Sequence, residues 1–149
     1  MRIFRRKPKK FLSPTAELFD SMVGEGMEIY GRIVAHKSIR IDGTIYGNVE
    51  ISEGKKNITI AVGAQGKVFG DVKAYRVLIG GLVEGNVYAA ERVELHGVAN
   101  VMGDITYSDI GIEPGAEVMG LLIKRAGKKK EVADAGKLIK KIQEVKTKD

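Results

Sequence analysis

The sequence of 149 residues contains no cysteine. A disulfide framework, a thiolate metal site and a cysteine nucleophile are therefore excluded, and a reducing compartment suits the chain. The basic N-terminus is not followed by the roughly 7 to 15 apolar residues of a secretory signal, and no stretch approaches the ~20 apolar residues of a membrane span. We therefore expect a cytoplasmic protein.

The net charge of +6 is unevenly distributed along the chain. Residues 1–26 contribute +3, residues 27–123 contribute −3 and residues 124–149 contribute +6. All the excess basic charge thus lies in the two terminal segments, while the middle is mildly acidic. This distribution argues against a nucleic-acid groove built into a folded body.

A sequence repeat fills the middle of the chain. Its common form is [VI]-x-G-[ND]-[VI], and the glycine-to-glycine steps are 16, 23, 15, 18 and 17 residues, the long step containing extra residues around Glu53 to Asn57. The six repeated glycines are Gly31, Gly47, Gly70, Gly85, Gly103 and Gly120. Such a period predicts one coil of a β-solenoid for each copy.

A second, weaker motif precedes every copy from the second onward. It has the pattern apolar, any residue, apolar, and its copies are Ile39-Arg40-Ile41, Ile58-Thr59-Ile60, Val77-Leu78-Ile79, Val93-Glu94-Leu95 and Ile110-Gly111-Ile112. Together the two motifs predict two strand-like stretches in each coil.

The residue types of the main motif fit a half-buried strand. Alternation predicts that Val83, Gly85 and Val87 face the core while Glu84 and Asn86 face solvent. Glycine leaves room where the chain bends and can adopt φ > 0 at a corner, and Asn or Asp beside it tolerates the same turn conformations. Six coils stacked at about 4.8 Å per layer make a rod of roughly 25 to 30 Å. An antiparallel sandwich or barrel would instead show hairpin turns and no repeated Gly-[ND] phase.

These G-[ND]-[VI] motifs resemble those of the bactofilins, polymer-forming cytoskeletal proteins of bacteria, and the resemblance covers nearly the whole chain. It implies an all-β fold, a single-stranded right-handed β-helix (β-solenoid) of about six short coils with flexible basic tails. The expected divisions are a basic tail at 1–26, the β-helix domain at 27–123 and a basic tail at 124–149. The resemblance also implies nucleotide-independent, non-polar filaments that scaffold cell-shape or cell-wall factors at the inner face of the cytoplasmic membrane.

The two end coils are the predicted polymerisation interface, because solenoid ends expose strand edges and an open core unless they are capped. The apolar residues expected there are Ile29, Ile33, Met119, Leu121, Leu122 and Ile123. Bactofilins often carry a phenylalanine in the C-terminal coil, whereas this chain has none after Phe69. The C-terminal assignment is therefore by region only.

Two predicted helices offer an alternative in which the ends are capped. Ser13-Pro14-Thr15 followed by residues 16–22 has the pattern of an N-capped short helix that would cover the first coil. Residues 137–145 place Leu138, Ile142 and Val145 on one helical face, with lysines opposite, and that helix would cover the last coil.

The N-terminal segment is a predicted membrane-binding site. It pairs apolar and basic side chains in Met1, Arg2, Ile3, Phe4, Arg5, Arg6 and Lys7. Each base near an anionic leaflet contributes about 1 kcal/mol, and a polymer multiplies such weak contacts. A solvated basic tail is the alternative. The C-terminal tail has no aromatic residue on which a base could stack, so it suits a solubilising or partner-docking role better than nucleic-acid binding.

The competing enzyme class is the left-handed β-helix, as an acyltransferase or a γ-carbonic-anhydrase-like trimer. Steps of 23 and 15 residues are not multiples of six, and a three-histidine zinc site cannot be built from His36 and His96 alone. Asp42, Asp71 and Asp104 are not paired for acid–base work, and there is no glycine-rich phosphate loop. We therefore expect no enzymatic activity, no cofactor and no metal, with the chain itself, an anionic membrane and morphogenesis proteins as partners.

Overall fold

The computed structural model describes residues 19–126, so the predictions for residues 1–18 and 127–149 lie outside the described part. All sixteen regular elements described are strands. In chain order they are β1 Ser21–Val23, β2 Glu28–Tyr30, β3 Ile33–Ala35, β4 Ile39–Ile41, β5 Thr44–Tyr46, β6 Val49–Ile51, β7 Thr59–Val62, β8 Lys67–Phe69, β9 Val72–Ile79, β10 Leu82–Glu84, β11 Val87–Leu95, β12 Asn100–Met102, β13 Ile105–Tyr107, β14 Asp109–Ile112, β15 Glu117–Met119 and β16 Leu122–Lys124. Residues 19–126 include no helix long and apolar enough to cross a membrane.

The strands stack in parallel on three faces of a solenoid. Face 1 contains β1, β4, β7, the second halves of β9 and β11, and β14. Face 2 contains β2, β5, β8, β10, β12 and β15. Face 3 contains β3, β6, the first halves of β9 and β11, β13 and β16. The all-β solenoid of about six coils predicted from the repeat is therefore confirmed.

Each coil has three strands rather than the two expected. The [VI]-x-G-[ND]-[VI] motif does not form one straight strand, because it turns a corner at its glycine. In the fourth coil β10 ends at Glu84 and β11 begins at Val87, with Gly85 and Asn86 at the bend between face 2 and face 3. Val83 and Val87, on either side of that bend, are both fully buried as predicted.

The first coil begins earlier than the sequence pattern indicated. Strand β1 hydrogen-bonds in parallel to β4, with Ser21 opposite Ile39 and Val23 opposite Ile41. Val23 is buried in the core, which gives this short strand a packed inward side. Met22, which was expected on a short helix, lies in β1 instead.

The third coil also differs from the predicted register on face 1. The copy of the second motif in this coil is Ile58-Thr59-Ile60, but β4 pairs with β7 so that Ile60 and Val62 are the residues that follow Ile39 and Ile41. The extra residues before β7 form a loop in which Asn57 has a φ of 60°. This left-handed residue lies two positions before β7, whose strand begins at Thr59.

The core consists of apolar columns that run along the solenoid axis. On face 2 one column contains Ile45, Val68, Val83 and Val101, and each is fully buried. A coil cannot bury its inward side chains alone, so each column exists only because the coils stack. Burying one such side chain contributes about 1.5 to 3 kcal/mol relative to leaving it in water.

Candidate assembly ends and the corner that builds them

The glycine corner places the coils in contact through their backbones. A Cβ on Gly85 would lie 2.0 Å from the carbonyl oxygen of Gly70 in the coil before it, and one on Gly103 would lie 2.1 Å from that of Gly85. All six repeated glycines have positive φ values, from +131° to +159°. Glycine is therefore needed at the corner because of the carbonyl of the preceding coil as well as the backbone conformation.

The polar residue after each corner glycine forms a ladder along the solenoid. The backbone N–H of Asp71 donates to Oδ1 of Asn48 at 2.8 Å, and that of Asn86 donates to Oδ1 of Asp71 at 2.8 Å. The next two rungs run from the N–H of Asp104 to Asn86 at 3.0 Å, and from that of Leu121 to Asp104 at 2.9 Å. Each side chain thus satisfies a backbone donor of the following coil.

This ladder corrects the role that the sequence suggested for the Asn and Asp residues. They were expected to tolerate a left-handed turn, but within residues 19–126 Asn57 is the only residue other than glycine with positive φ. Their contribution to the corner is a side-chain oxygen that accepts a backbone hydrogen bond. The ladder stops at both ends of the solenoid. The matching residue is Arg32 in the first coil and Leu121 in the last, and neither side chain can accept a hydrogen bond.

Among the described residues, the N-terminal coil has a strand layer on one side only. Strands β1, β2 and β3 are each the outermost described strand of their face. Ile29 and Ile33 pack on the core but are only half-buried. Tyr30 stacks on Tyr46 on the outer side of face 2, with ring centroids 4.8 Å apart, and its hydroxyl donates to Glu28. That hydrogen bond, with the charge of Glu28, raises the pKa of Tyr30 above its ordinary value.

The C-terminal coil leaves apolar side chains on the open end of the core. Leu122 continues the face 3 column of Val87 and Ile105, both fully buried, yet it is 44% exposed. Val118 likewise continues the face 2 column after Val101 and is half-buried. Strands β14, β15 and β16 each pair with one strand only, so within residues 19–126 no further strand covers their outer backbone edges.

The structure divides the six predicted interface residues into two groups. Ile29, Ile33 and Leu122 lie at inward positions, where they form the exposed ends of core columns. The other three lie at the margin of the last coil: Met119 and Ile123 occupy outward positions, and Leu121 is at the ladder corner. All three are exposed apolar residues.

Further apolar residues at the two ends of the solenoid were not predicted from the sequence. Val23 belongs to the first coil, and Ile110 and Val118 pack on the core in the last. Ile110 lies in the last copy of the second motif, and Val118 lies two residues before the repeated Gly120. The inward register of the buried coils, extended by one layer, would have identified both. Val23 could not be identified in this way, because it lies before the first copy of the repeat and belongs to neither motif.

The two histidines lie apart, at different corners of the solenoid. His96 binds Glu113 through Nδ1 at 2.9 Å, whereas His36 lies at a different corner, after β3. No group of three or more His, Asp and Glu side chains suited to a metal ion is found in residues 19–126. The membrane-binding candidates Met1 to Lys7 lie outside the described residues.

Comparison with known proteins links this architecture to one family. A family model named bactofilin and described as polymer-forming cytoskeletal matches residues 21–122. Bactofilin BacO of Myxococcus xanthus is 31% identical over 106 residues, which cover 71% of this chain and 80% of that protein. Bactofilin BacP of the same organism is 29% identical over 111 residues, which cover 74% of this chain and 44% of that protein. No solved structure matches the chain.

Proposed function

This chain belongs to the bactofilin family of polymer-forming cytoskeletal proteins, and we propose that it joins end to end, without nucleotide, into non-polar filaments. The strongest support for this proposal is that the two end coils leave apolar core positions exposed to solvent. Core columns that are fully buried inside the solenoid end in half-exposed or exposed members at Ile29, Ile33 and Leu122. A second solenoid placed on either end would bury these side chains and pair the open strand edges.

A charge at the C-terminal end of the core tests the joint. Leu122→Arg should abolish filaments seen by electron microscopy while leaving the β-rich circular dichroism unchanged, because a charge cannot be buried unpaired in an apolar contact. The chain would be prepared with a chelator and without nucleotide. Val98→Arg is the matched control, since Val98 is an exposed apolar residue of the fifth coil, outside the last one. Filaments of normal length from Leu122→Arg would contradict a joint at this end.

We further propose that the joints connect like ends to like ends. Such contacts are isologous, and their alternation gives a filament without polarity. Both ends of the solenoid expose apolar side chains, so each is suited to contact the same end of a second copy. Because the chain has no cysteine, Leu121→Cys carries one thiol at one end.

A short bis-maleimide should crosslink Leu121→Cys filaments into covalent dimers, because like-to-like joints bring two C-terminal ends together. Val98→Cys, with its thiol on the side of the fifth coil, should yield monomers. Monomers alone from both variants would instead indicate a head-to-tail filament, in which each joint contains one thiol.

The filaments are proposed to act as a scaffold at the inner face of the cytoplasmic membrane, on which cell-shape or cell-wall factors gather. Support comes from the basic and apolar residues Met1 to Lys7. One copy of such a segment binds an anionic surface weakly, but a filament presents many copies, so later contacts are intramolecular. Assembly would therefore strengthen membrane binding.

A further inference from the structure

Large apolar side chains that are exposed to solvent are concentrated in the two end coils of the described solenoid. The first coil has four of them and the last coil has five, whereas the four coils between them share four. Those of the first coil, which we call the apolar rim, are Met22, Met27, Tyr30 and Val34. Those of the middle coils are Tyr46, Tyr88, Val98 and Met102. The outer surface of the first coil therefore differs from that of the rod behind it.

The apolar rim is separate from the ends of the core columns. Alternation along a strand places Met22 on the opposite side of the sheet from the buried Val23. Tyr30 and Val34 likewise occupy outward positions in β2 and β3, and Met27 lies in the turn between β1 and β2. Each of the three faces thus carries one outward apolar residue at this end of the solenoid.

Two of these outward positions are charged only one layer further in. Met22 is paired with Arg40 of the second coil, and Val34 is paired with Glu50. Outward positions that meet only water are expected to be polar, as these are in the second coil. The change to apolar residues in the first coil marks a surface that contacts something other than water.

The third outward position, Tyr30, is the outermost ring of an aromatic stack. Its centroid lies 4.8 Å from that of Tyr46, close to the spacing of one layer, so the stack runs along the solenoid axis. Tyr46 covers one face of the Tyr30 ring, and the other face is turned towards the open end. The Tyr30 side chain is 72% exposed. A partner placed on this end would bury that ring face.

We propose that the apolar rim binds the first coil of a second copy and forms the outer part of the N-terminal joint. This inference rests on the end-to-end assembly proposed above. A twofold axis across the rod places one first coil on another, which is an isologous contact. Because all three faces carry a rim residue, apolar side chains meet in every rotation that superimposes the faces. The joint then covers more than the cross-section of the core.

The last coil of a second copy suits this surface less well. A head-to-tail contact would continue the solenoid, and the backbone N–H of Arg32 would then meet the side chain of Leu121 at the ladder corner. Inside the solenoid an Asn or Asp oxygen accepts from the N–H at this position, whereas leucine has no acceptor. A backbone donor buried without an acceptor opposes the head-to-tail arrangement.

Leu122→Arg provides a way to study the N-terminal joint alone, because it disables the C-terminal joint of each molecule. The full chain with this substitution should form discrete dimers, joined by their first coils, in analytical ultracentrifugation without nucleotide. Adding Tyr30→Lys should raise the dissociation constant of these dimers about tenfold or more, since a charge replaces the ring in the contact. Adding Tyr88→Lys should leave it unchanged, because Tyr88 is an exposed outward residue of the fourth coil.

Met22→Lys repeats the measurement on another face, so that loss of the ring stack within one molecule does not decide the outcome. Circular dichroism checks that each variant keeps its β-rich fold. Unchanged dimers in both rim variants would overturn the proposal while leaving end-to-end assembly in place. Monomers from Leu122→Arg alone, at concentrations at which the unaltered chain forms filaments, would also overturn it, because first coils then do not bind one another. An unaltered chain that stays monomeric would overturn the proposed assembly and the rim contact together.

Discussion

At the scale of single residues, the solenoid depends on a two-residue corner. The glycine lets the backbones of successive coils approach, and the Asn or Asp after it accepts a hydrogen bond from the next coil. Both functions act between coils rather than within one coil. A substitution at a corner should therefore weaken the stacking of two layers at once.

Gly85→Ala should destabilise the fold by about 3 kcal/mol or more, because the added methyl group would meet the carbonyl of Gly70 and favours another backbone conformation. Gly31→Ala is the matched control, since Gly31 also has positive φ but would have no atom within 4 Å of a new Cβ. It should cost only about 1 to 2 kcal/mol of conformational strain. Denaturant unfolding followed by circular dichroism measures both, and equal losses would disprove the steric part of this explanation.

Asn86→Ala should cost about 1 to 2 kcal/mol, because it leaves the backbone N–H of Asp104 without the acceptor it uses. Asn86→Asp keeps an oxygen in that place, so we expect it to retain most of the stability. The same unfolding measurement compares the two variants. A loss as large in Asn86→Asp as in Asn86→Ala would mean that the ladder oxygen is not what stabilises the corner.

At the scale of elements, neighbouring strands are joined by outward side chains as well as by the core. On face 2 the rings of Tyr30, Tyr46 and Phe69 form one stack across three coils, with Tyr46 and Phe69 centroids 5.1 Å apart. Parallel in-register strands place equivalent residues directly above one another, so a repeated aromatic position becomes a stack. This stack connects the first coil, which has open edges, to the two coils behind it.

Tyr46→Ala removes the middle ring and should lower stability by about 1 to 3 kcal/mol, the contribution of two ring pairs. Tyr88→Ala is the matched control, because Tyr88 is equally exposed and lies on face 3. Hydrogen exchange of the amides in β2 should increase more in Tyr46→Ala than in the control. Indistinguishable exchange in the two variants would contradict a stabilising stack.

The strand positions show what the sequence could predict. The buried strands were predictable because each coil repeats the same apolar spacing, and Val83 and Val87 are buried as expected. The bend at Gly85 was harder to predict from the sequence, because the alternation of apolar and polar residues continues across the bend from one short strand to the next. The role of Asn86 could not be read from local pattern at all, since its partner Asp104 is a full coil away.

The ends were predictable only in part for a related reason. An inward position is defined by register against the neighbouring coil, and the last coil has a neighbour on one side only. Leu121 to Ile123 form a continuous apolar run, so alternation gives no indication of which one continues the core. Pairing with β13 selects Leu122.

At the scale of the whole molecule, charge and apolar surface are separated. The ends of the solenoid expose apolar side chains, whereas the excess of basic residues lies in the segments before and after it. End-to-end contacts would therefore use the apolar side chains of the solenoid rather than the basic segments. We expect assembly and surface binding to be separable by mutation.

Removal of residues 1–7 should release filaments from anionic phospholipid vesicles in a co-sedimentation assay, while electron microscopy still shows filaments. The change removes four basic side chains together with Ile3 and Phe4. Removal of residues 140–149 also takes away four lysines and serves as the control, which should still sediment with the vesicles. Undiminished sedimentation of the first variant would argue against a membrane role for the N-terminus.

The parallel stacking of the strands also determines how a filament would respond to force. The covalent chain winds around the rod, while the hydrogen bonds between coils run along its axis. Tension along the axis is therefore borne by hydrogen bonds and side-chain packing, in parallel on all three faces. A joint between the ends of two molecules would lack the ladder that reinforces the interior, because Arg32 and Leu121 end it. We expect a stretched filament to break at its joints and leave intact subunits that can anneal again.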